Sequence, residues 1–356
     1  MLFAILTGTL LALAQVRAAT PGGTPDAPLP VRVAIVTMFE IGADEGDQAG
    51  EFQLWKERLE LDTRYPLPYA HHDLFVNEAR GILGMVTGIG TANSAGALMA
   101  VGLDPRFDFT HTYWLIVGIA GVDPADASLG SAAWAEYLVD ADLAHFIDPR
   151  EMPEGWVTGF FPRGTRRPYD PRRREADGEV FELNRDLAGW AFEKTRDVAL
   201  PDNDILARRR AAYEGYPNAQ RPPFVLLGDQ LAGQTYWHGR LMNEWANDWV
   251  AYWTHGEGEY VTTAMEDTGS FRTLKYLDAG GRVDADRVMV LRTASNFDMQ
   301  APGMTAVQSL LMDHGDEGYE ALGAALESAW RVGSTVVEAL LADWKTYRDR
   351  LPAAKP

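Results

Sequence analysis

The sequence predicts a three-layer α/β domain, with helices packed on both sides of a central β-sheet. Three observations lead to this fold class. Short apolar runs without polar alternation recur along the chain, as in strands that are buried on both faces of a sheet. Segments with helical spacing of apolar residues separate these runs. Each run ends in small or polar residues, which is where open α/β sheets place their ligand sites.

The elements can be assigned in chain order from these patterns. Buried strands are expected at residues 31–37, 81–87, 113–117, 224–228, 260–265 and 287–292, with a strand-rich segment at 129–141. Helices are expected at residues 50–61, around 97–100, and at 245–255, 266–277 and 306–344. Residues 145–223 are polar and rich in arginine and proline, which predicts a long insertion within the domain.

The beginning of the chain indicates export. Residues 1–18 form an apolar stretch that ends in Val16-Arg17-Ala18, a small-x-small cleavage site, and are expected to be a signal peptide. Residues 19–30 are expected to be a flexible mature N-terminus, and residues 31–356 a single domain. The protein is therefore expected to be periplasmic or secreted. The mature chain is not expected to span a membrane, because no other apolar run reaches about 18 residues.

Charge and cysteine content exclude several classes of function. The net charge of −19 repels polyanions, so nucleic acid is not an expected partner. The absence of cysteine excludes disulfides, thiolate catalysis and Cys-ligated metals. The chain also lacks a Ser-His-Asp elbow motif, a phosphate-binding Walker loop and a zinc signature, so neither a metal nor a cofactor is expected.

Five short segments follow predicted strands and are expected to meet at one edge of the sheet: residues 88–95, 118–122, 233–237, 265–268 and 293–298. Glycine in two of them allows backbone N–H groups to approach a ligand, although close helix–sheet packing would also select glycine. The arginine-rich insertion could bind an anion, or form a solvated lid or subunit contact. The possible anion-binding residues are Gly88, Gly90, Arg163, Arg166 and Arg167.

The order of these segments resembles the purine nucleoside permease family, within the nucleoside phosphorylase superfamily, over almost all of residues 31–345. The match is carried by TYWLIVGIAGVDP (112–124), DPREMPEGWVTGFFP (148–162), GEVFELN (178–184), QTYWHG (234–239) and LRTASNFD (291–298). The resemblance implies a mixed central sheet, partly closed into a barrel, with helices on both sides. A purine nucleoside is the expected ligand, and a homo-oligomer is the expected assembly.

The resemblance also implies roles for individual residues. Met265 and Glu266 match the pair in which the carboxylate accepts hydrogen bonds from the ribose, and Asn296 matches the residue that contacts purine N7. Asn296 and Glu266 are therefore the expected catalytic residues. The full set of expected substrate-binding residues is Gly118, Ile119, Ala120, Gly121, Tyr236, Trp237, Met265, Glu266, Asn296 and Asp298.

One departure from the superfamily concerns phosphate. Phosphorolytic members place an arginine two residues before the first glycine of the Gly-rich segment, where this chain has Ile116. A dianion without an arginine loses its main charge-assisted contacts. The leading prediction is therefore a soluble protein that hydrolyses the N-glycosidic bond of purine nucleosides and supports their uptake. A non-catalytic nucleoside-binding component of transport and a purine nucleoside phosphorylase, with phosphate as a further ligand, remain as alternatives.

Overall fold

The computed structural model describes residues 27–171, 175–313 and 315–354. The signal peptide expected at residues 1–18 lies outside the described residues, as does most of the flexible segment expected at 19–30. The end of that segment differs from the prediction, because Leu29–Pro30 forms a short parallel strand with Phe107–Asp108.

The strands are short except for two of ten residues each. They are β1 (Leu29–Pro30), β2 (Val33–Thr37), β3 (Thr63–Tyr65), β4 (Leu74–Asn77), β5 (Ile82–Val86), β6 (Phe107–Asp108), β7 (Tyr113–Val122), β8 (Ala132–Trp134), β9 (Tyr137–Asp140), β10 (Ala144–Phe146), β11 (Phe160–Pro162), β12 (Val180–Glu182), β13 (Val225–Leu227), β14 (Asp229–Ala232), β15 (Tyr260–Ala264) and β16 (Val288–Phe297).

The helices follow or separate these strands. They are α1 (Gln53–Arg58), α2 (Thr91–Gly102), α3 (Arg185–Thr195), α4 (Asp204–Ala211), α5 (Arg240–Trp253), α6 (Asp267–Ala279), α7 (Ala306–Met312), α8 (Asp316–Ala342) and α9 (Trp344–Tyr347). Two short 3₁₀ helices lie at Pro149–Glu151 and Ala285–Arg287. Over the part of the chain that the structure describes, no helix is long and apolar enough to cross a membrane.

The central sheet is mixed, and its pairing branches at β7. Strand β7 pairs in parallel with β2 and β16 and antiparallel with β15. On the other side of β16, β8 pairs antiparallel with β16 and parallel with β13. Five pairings join β14, β15, β7, β16, β8 and β13 in that order. The chain itself leads from β13 through Gly228 into β14, so these six strands form a ring that is closed by the backbone and not by a sixth pairing. This ring is the partial barrel that the resemblance implied.

The two faces of the sheet carry separate cores, which makes the domain three-layered. Alternate residues of β2 belong to different hydrophobic clusters: Ala34 and Val36 to one, and Val33 and Ile35 to the other. The first cluster includes apolar residues of α2 and α6, and the second includes residues of α1, α3 and α8. The predicted α/β class with a mixed sheet between helices is confirmed.

The region expected to be a polar insertion at residues 145–223 also contributes to the core. Helix α3 places Leu187, Trp190 and Ala191 in the cluster that it shares with α8. Residues 145–223 therefore combine a polar surface segment with one of the helices that cover the sheet.

Two predicted turns are parts of strands instead. Residues Gly118–Gly121 were expected to leave the sheet after Val117, but β7 continues to Val122. Similarly, β16 continues from Arg292 to Phe297. The reason is mutual pairing: Gly118 lies opposite Arg292, and Val122 opposite Phe297, so each strand satisfies the backbone groups of the other.

Candidate active site

A cavity of about 170 Å³ lies where β2, β5, β7, β15 and β16 reach the same edge of the sheet. It draws on the five segments that the sequence analysis expected to meet, together with residues before and within the loop that leads to α1. Its lining residues are Met38, Phe39, Glu51, Ile89, Ile119, Ala120, Gly121, Tyr236, Thr263, Ala264, Met265, Glu266, Arg292, Ser295 and Asn296.

A buried arginine organises the floor of this cavity. The Arg292 guanidinium donates to Glu266 Oε2 at 3.0 Å, to Asp267 Oδ1 at 3.0 and 3.1 Å, and to the Ile119 carbonyl at 3.2 Å. The carboxylates of Glu266, Asp267 and Glu51 raise the pKa of Arg292 against the opposing effect of burial. Three carboxyl groups thus surround one guanidinium, so the pocket favours a positively charged or neutral ligand over an anion.

Glu266 is held from two sides. Its Oε1 accepts a hydrogen bond from the Gly90 N–H at 3.0 Å, while Oε2 accepts from Arg292. Burial raises the pKa of Glu266, and the nearby Arg292 opposes that rise. Oε2 also accepts from the Met265 N–H at 3.3 Å. Because a carboxylate oxygen has two lone pairs, Oε1 is the oxygen of Glu266 that can accept one further hydrogen bond from a ligand.

Glu51 approaches Arg292 from the opposite wall. Its Oε1 accepts from the Ile119 N–H at 2.7 Å, and its Oε2 accepts from the Met38 N–H at 2.8 Å. Burial raises the pKa of Glu51 to about 7, although Arg292 acts to lower it. Glu51 therefore exchanges a proton near neutral pH, as a general base requires.

Gly118 allows these two charged side chains to meet. A methyl group at Gly118 would overlap with Glu51 Oε1 and lie 2.5 Å from Arg292 Nη1. The glycine is thus required by a close approach of side chains across β7, rather than by a turn.

A β-bulge places Ser295 and Asn296 at the cavity. Ala294 pairs with Ala120 and Asn296 with Gly121, so Ser295 is an extra residue in β16. Ser295 Oγ donates to Asn296 Oδ1 at 3.1 Å, and Asn296 Nδ2 donates to the Phe297 carbonyl at 3.1 Å. Since a carbonyl can only accept, this contact orients the Asn296 amide. One lone pair and one hydrogen of that amide remain for a ligand.

The structure gathers most of the expected substrate-binding residues. Ile119, Ala120, Gly121, Tyr236, Met265, Glu266 and Asn296 line the cavity. Gly118 lies directly behind it, against Glu51 and Arg292.

Trp237 and Asp298 do not line the cavity. Trp237 packs instead against Trp245 and Tyr260, with ring centroids 6.3 and 6.4 Å apart. Asp298 is fully buried and accepts hydrogen bonds from Tyr260 Oη at 2.5 Å and from Asn243 Nδ2 at 3.1 Å. Both are structural neighbours of the site and not part of its wall.

The possible anion-binding residues are not brought together at the cavity. Gly88 packs against His71 and Asn93, and the Gly90 N–H already donates to Glu266. Arg163 forms an ion pair with the buried carboxylate of Glu179 at 2.7 Å. Arg166 and Arg167 are exposed and do not line the cavity. Among the residues that the structure describes, these do not form one group at this cavity, and an anion site built from them stays a prediction.

Sequence reasoning missed Glu51 and Arg292, the two charged residues that give the cavity its acid–base character. A charged residue at the end of the apolar run 288–291 was the available signal for Arg292, because a buried arginine needs carboxylate partners. Glu51 had no comparable local signal, since its position depends on the path of the loop at residues 40–50.

Among solved structures, the chain resembles nucleoside-cleaving enzymes. Futalosine hydrolase of Helicobacter pylori matches with a TM-score of 0.52 and 15% identity, covering 87% of this chain and 98% of that one. The 5′-methylthioadenosine/S-adenosylhomocysteine nucleosidase of Streptococcus pneumoniae, solved with 8-aminoadenine, matches with a TM-score of 0.51 and 13% identity, covering 87% and 100%. At these identities the likeness shows the fold, which is nucleosidase-like.

Sequence comparison defines the family. The family model for purine nucleoside permease matches residues 30–352. A probable purine nucleoside permease of Schizosaccharomyces pombe is 32% identical over 361 residues, covering 98% of this chain and all of the relative. The purine nucleoside permease of Candida albicans is 29% identical over 331 residues, covering 92% of this chain and 79% of the relative. The chain belongs to the purine nucleoside permease family.

Proposed function

We propose that this protein binds purine nucleosides in the cavity and hydrolyses their N-glycosidic bond. One observation carries the proposal: Glu51, whose pKa is raised to about 7, lies in the same buried cavity as Glu266, Arg292 and Asn296. A proton acceptor, a group for sugar hydroxyls and an amide for the base are the three elements that such a reaction requires.

The ribose is placed against Glu266. A carboxylate that is fixed by Arg292 and by the N–H groups of Gly90 and Met265 can accept a hydrogen bond from a sugar hydroxyl at Oε1 without moving. Hydrogen bonds to ionised acceptors are stronger than those to neutral ones. Buried carboxylates on this side also stabilise the positive charge that develops on the sugar as the glycosidic bond lengthens.

The base is placed between Tyr236 and Asn296. The half-exposed Tyr236 ring lines the cavity and can pack on a purine face. The Asn296 amide can donate to N7, where negative charge develops as the base leaves, and can accept from an amino group at the neighbouring 6-position.

Water is the proposed nucleophile. In this step a water oxygen bonds to the anomeric carbon, the bond to the purine nitrogen breaks, and its electron pair stays on the base. Glu51 takes the proton that the water releases, which its pKa of about 7 permits near neutrality. The purine leaves as an anion that accepts a hydrogen bond from Asn296 at N7, and it then takes up the proton that Glu51 releases through solvent. The products are free purine and free ribose, and Glu51 is ionised again.

Hydrolysis is favoured over phosphorolysis by the charges of the cavity. The cavity does contain an arginine, Arg292, although position 116 is isoleucine. The N–H groups of Arg292, however, already donate to Glu266, Asp267 and the Ile119 carbonyl. A phosphate dianion would also lie among three buried carboxyl groups, and like charges at short range repel strongly.

A nucleosidase outside the cytoplasm would also explain a role in uptake, because released base can enter through separate transporters. A non-catalytic nucleoside-binding component of transport would use the same cavity without releasing base. The distinction between these two functions depends on whether Glu51 supports chemistry.

Chromatography of inosine and adenosine incubated with the purified protein, with and without phosphate, tests the proposal. We expect free base and free ribose at rates that do not depend on phosphate. The Glu51→Gln variant should bind nucleoside but release little base, while Glu60→Gln, at an exposed glutamate, should match the unmodified protein. Ribose 1-phosphate as the main product would establish a phosphorylase, and nucleoside binding without base release would establish a binding protein.

The Glu266→Gln variant tests the ribose contact separately. A hydrogen bond to a charged group contributes about 1.5–3 kcal/mol, so nucleoside affinity should fall about tenfold or more. Free purine should bind both proteins equally well, because it lacks the sugar. Unchanged nucleoside affinity in calorimetry would remove Glu266 from this role.

A further inference from the structure

A second cavity, of about 640 Å³, opens directly from the first. We name it the outer cavity. It shares Ile119, Tyr236, Ser295 and Asn296 with the first cavity, and its other walls come from α7, α8 and the segment between them.

The shared residues show which end of a nucleoside would face the outer cavity. Tyr236 and Asn296 are the residues that contact the base in the proposed function, and both line the two cavities. Glu266 and Arg292, which define the sugar end, line only the first cavity. The outer cavity therefore continues from the edge of the purine that Asn296 contacts.

The wall of the outer cavity is mainly apolar. Leu310 and Leu322 are partly exposed to it, and Tyr319 is 56% exposed. Asp313 also lines the outer cavity. Its carboxylate forms an ion pair with Arg209, and both side chains are nearly buried. Because that charge is compensated, the free surface of the outer cavity favours hydrocarbon over a charged group.

We propose that the outer cavity is a subsite for an apolar substituent on the 6-amino group of a purine nucleoside. This inference rests on the proposed function, because it uses the placement of the base against Asn296. An amino group with one alkyl substituent keeps one hydrogen, so it can still donate to Asn296 Oδ1 while the alkyl chain extends past Tyr236 towards Leu310 and Leu322. The substrate class is thus the N6-alkylated adenosines.

Calorimetry with three ligands tests this subsite: adenosine, N6-pentyladenosine and 5′-pentylthio-5′-deoxyadenosine. The Glu51→Gln background prevents turnover during the measurement. We expect N6-pentyladenosine to bind about tenfold or more tightly than adenosine, since burial of even one methylene group changes binding by roughly tenfold or more. We expect no gain from the pentylthio group at the sugar end.

Two variants of α7 provide the matched comparison. Leu310→Trp places a larger side chain in the outer cavity and narrows it, so it should reduce the gain for N6-pentyladenosine while leaving adenosine affinity unchanged. Leu311→Trp adds the same ring one residue further along, at a side chain that is 63% exposed and does not line the outer cavity, and should keep the gain.

The outcomes separate this inference from the proposed function. If adenosine binds but N6-pentyladenosine binds no better, the subsite is refuted and the proposed function stands. If the 5′-pentylthio nucleoside gains affinity and Leu310→Trp removes that gain, the outer cavity serves the sugar and the inference is wrong. If neither adenosine nor inosine binds, the proposed function itself fails and the subsite fails with it.

Discussion

Glu51 and Asn296 face the same cavity with different acid–base properties. Glu51 can exchange a proton near neutral pH, whereas the amide of Asn296 can only donate and accept hydrogen bonds. Both are oriented by backbone groups: Glu51 by the N–H groups of Met38 and Ile119, and Asn296 by the Phe297 carbonyl. This division predicts that the pH dependence of the reaction comes from Glu51 and that base preference comes from Asn296.

The rate should rise with pH through a midpoint near 7, because only ionised Glu51 accepts a proton from water. Burial raises the folded-state pKa of Glu51 above its ordinary value, so its protonated form is the one that stabilises the fold. That stability is present at low pH and is lost as pH rises through about 7. Glu51→Gln should therefore flatten the pH profile of kcat/KM and raise the Tm at pH 8. A profile with the same midpoint in the variant would exclude Glu51 as the base.

Substitution of Asn296 should change which purine is preferred. Asn296→Asp removes the Nδ2 donor and adds a group that can protonate N7, so we expect a shift from inosine or guanosine towards adenosine and a stronger pH dependence. A positioned general acid contributes on the order of 10²–10⁴ in rate. Asn296→Ala should reduce kcat more than affinity, because the contact strengthens as charge develops. Wild-type rates and base preference in both variants would place Asn296 away from the base.

At the scale of elements, β7 and β16 form the site by remaining paired beyond the point where the sequence predicts that they end. The apolar runs 113–117 and 287–292 correctly predict both strands, because burial on two faces leaves a clear pattern. Their extension through Gly118 and Thr293 could not be predicted locally, because glycine and polar residues favour turns unless a partner strand satisfies their backbone groups.

The ion pairs of Arg292 connect β16 to the start of α6, and their removal should destabilise the fold. Arg292→Leu leaves Glu266 and Asp267 buried without their cation, and the loss of one partner of a buried pair costs about 3–5 kcal/mol. The loss should be greater at pH 8 than at pH 5, because burial raises the pKa of Glu266 and the removal of Arg292 takes away the charge that opposes this rise, so that protonation relieves the buried charge more readily as the pH falls. Urea denaturation at both pH values measures this difference.

Arg58→Leu is the control for that experiment. Arg58 forms an ion pair with Glu327 at 2.8 Å, joining α1 to α8, but both side chains are partly exposed. Exposed pairs contribute about 0–1 kcal/mol, so this variant should lose little stability at either pH. Equal losses in Arg58→Leu and Arg292→Leu would show that the buried cluster is not a special source of stability.

At the scale of the whole molecule, the cavity collects residues that are widely separated in the chain. The strands of the central sheet and the loops that follow them supply the lining residues and bring them together, among them Met38, Glu51, Ile119, Glu266 and Asn296. The sequence predicted that these strand ends would meet, because open α/β sheets place their ligand sites at the carboxyl ends of strands. Strand β15 reaches the same cavity although it pairs antiparallel with β7. It could not predict which side chains point inward, since that depends on register and on the bulge at Ser295.

The residues that line the cavity are spread along the chain from Met38 to Asn296. Nucleoside binding should therefore stabilise the whole domain as one unit. A ligand at about 100 times its Kd stabilises the folded state by about 2.7 kcal/mol, which corresponds to a rise in Tm of roughly 4 °C for a domain of this size, because the entropy of unfolding grows with chain length. The measurement is best made by calorimetry on Glu51→Gln with inosine, since that variant should bind without consuming the ligand. Ribose alone and hypoxanthine alone should each give a smaller shift, because each occupies only one end of the cavity. We expect a single unfolding transition whose Tm rises when inosine is added. Two transitions, of which inosine raises the Tm of only one, would show that parts of the domain unfold separately.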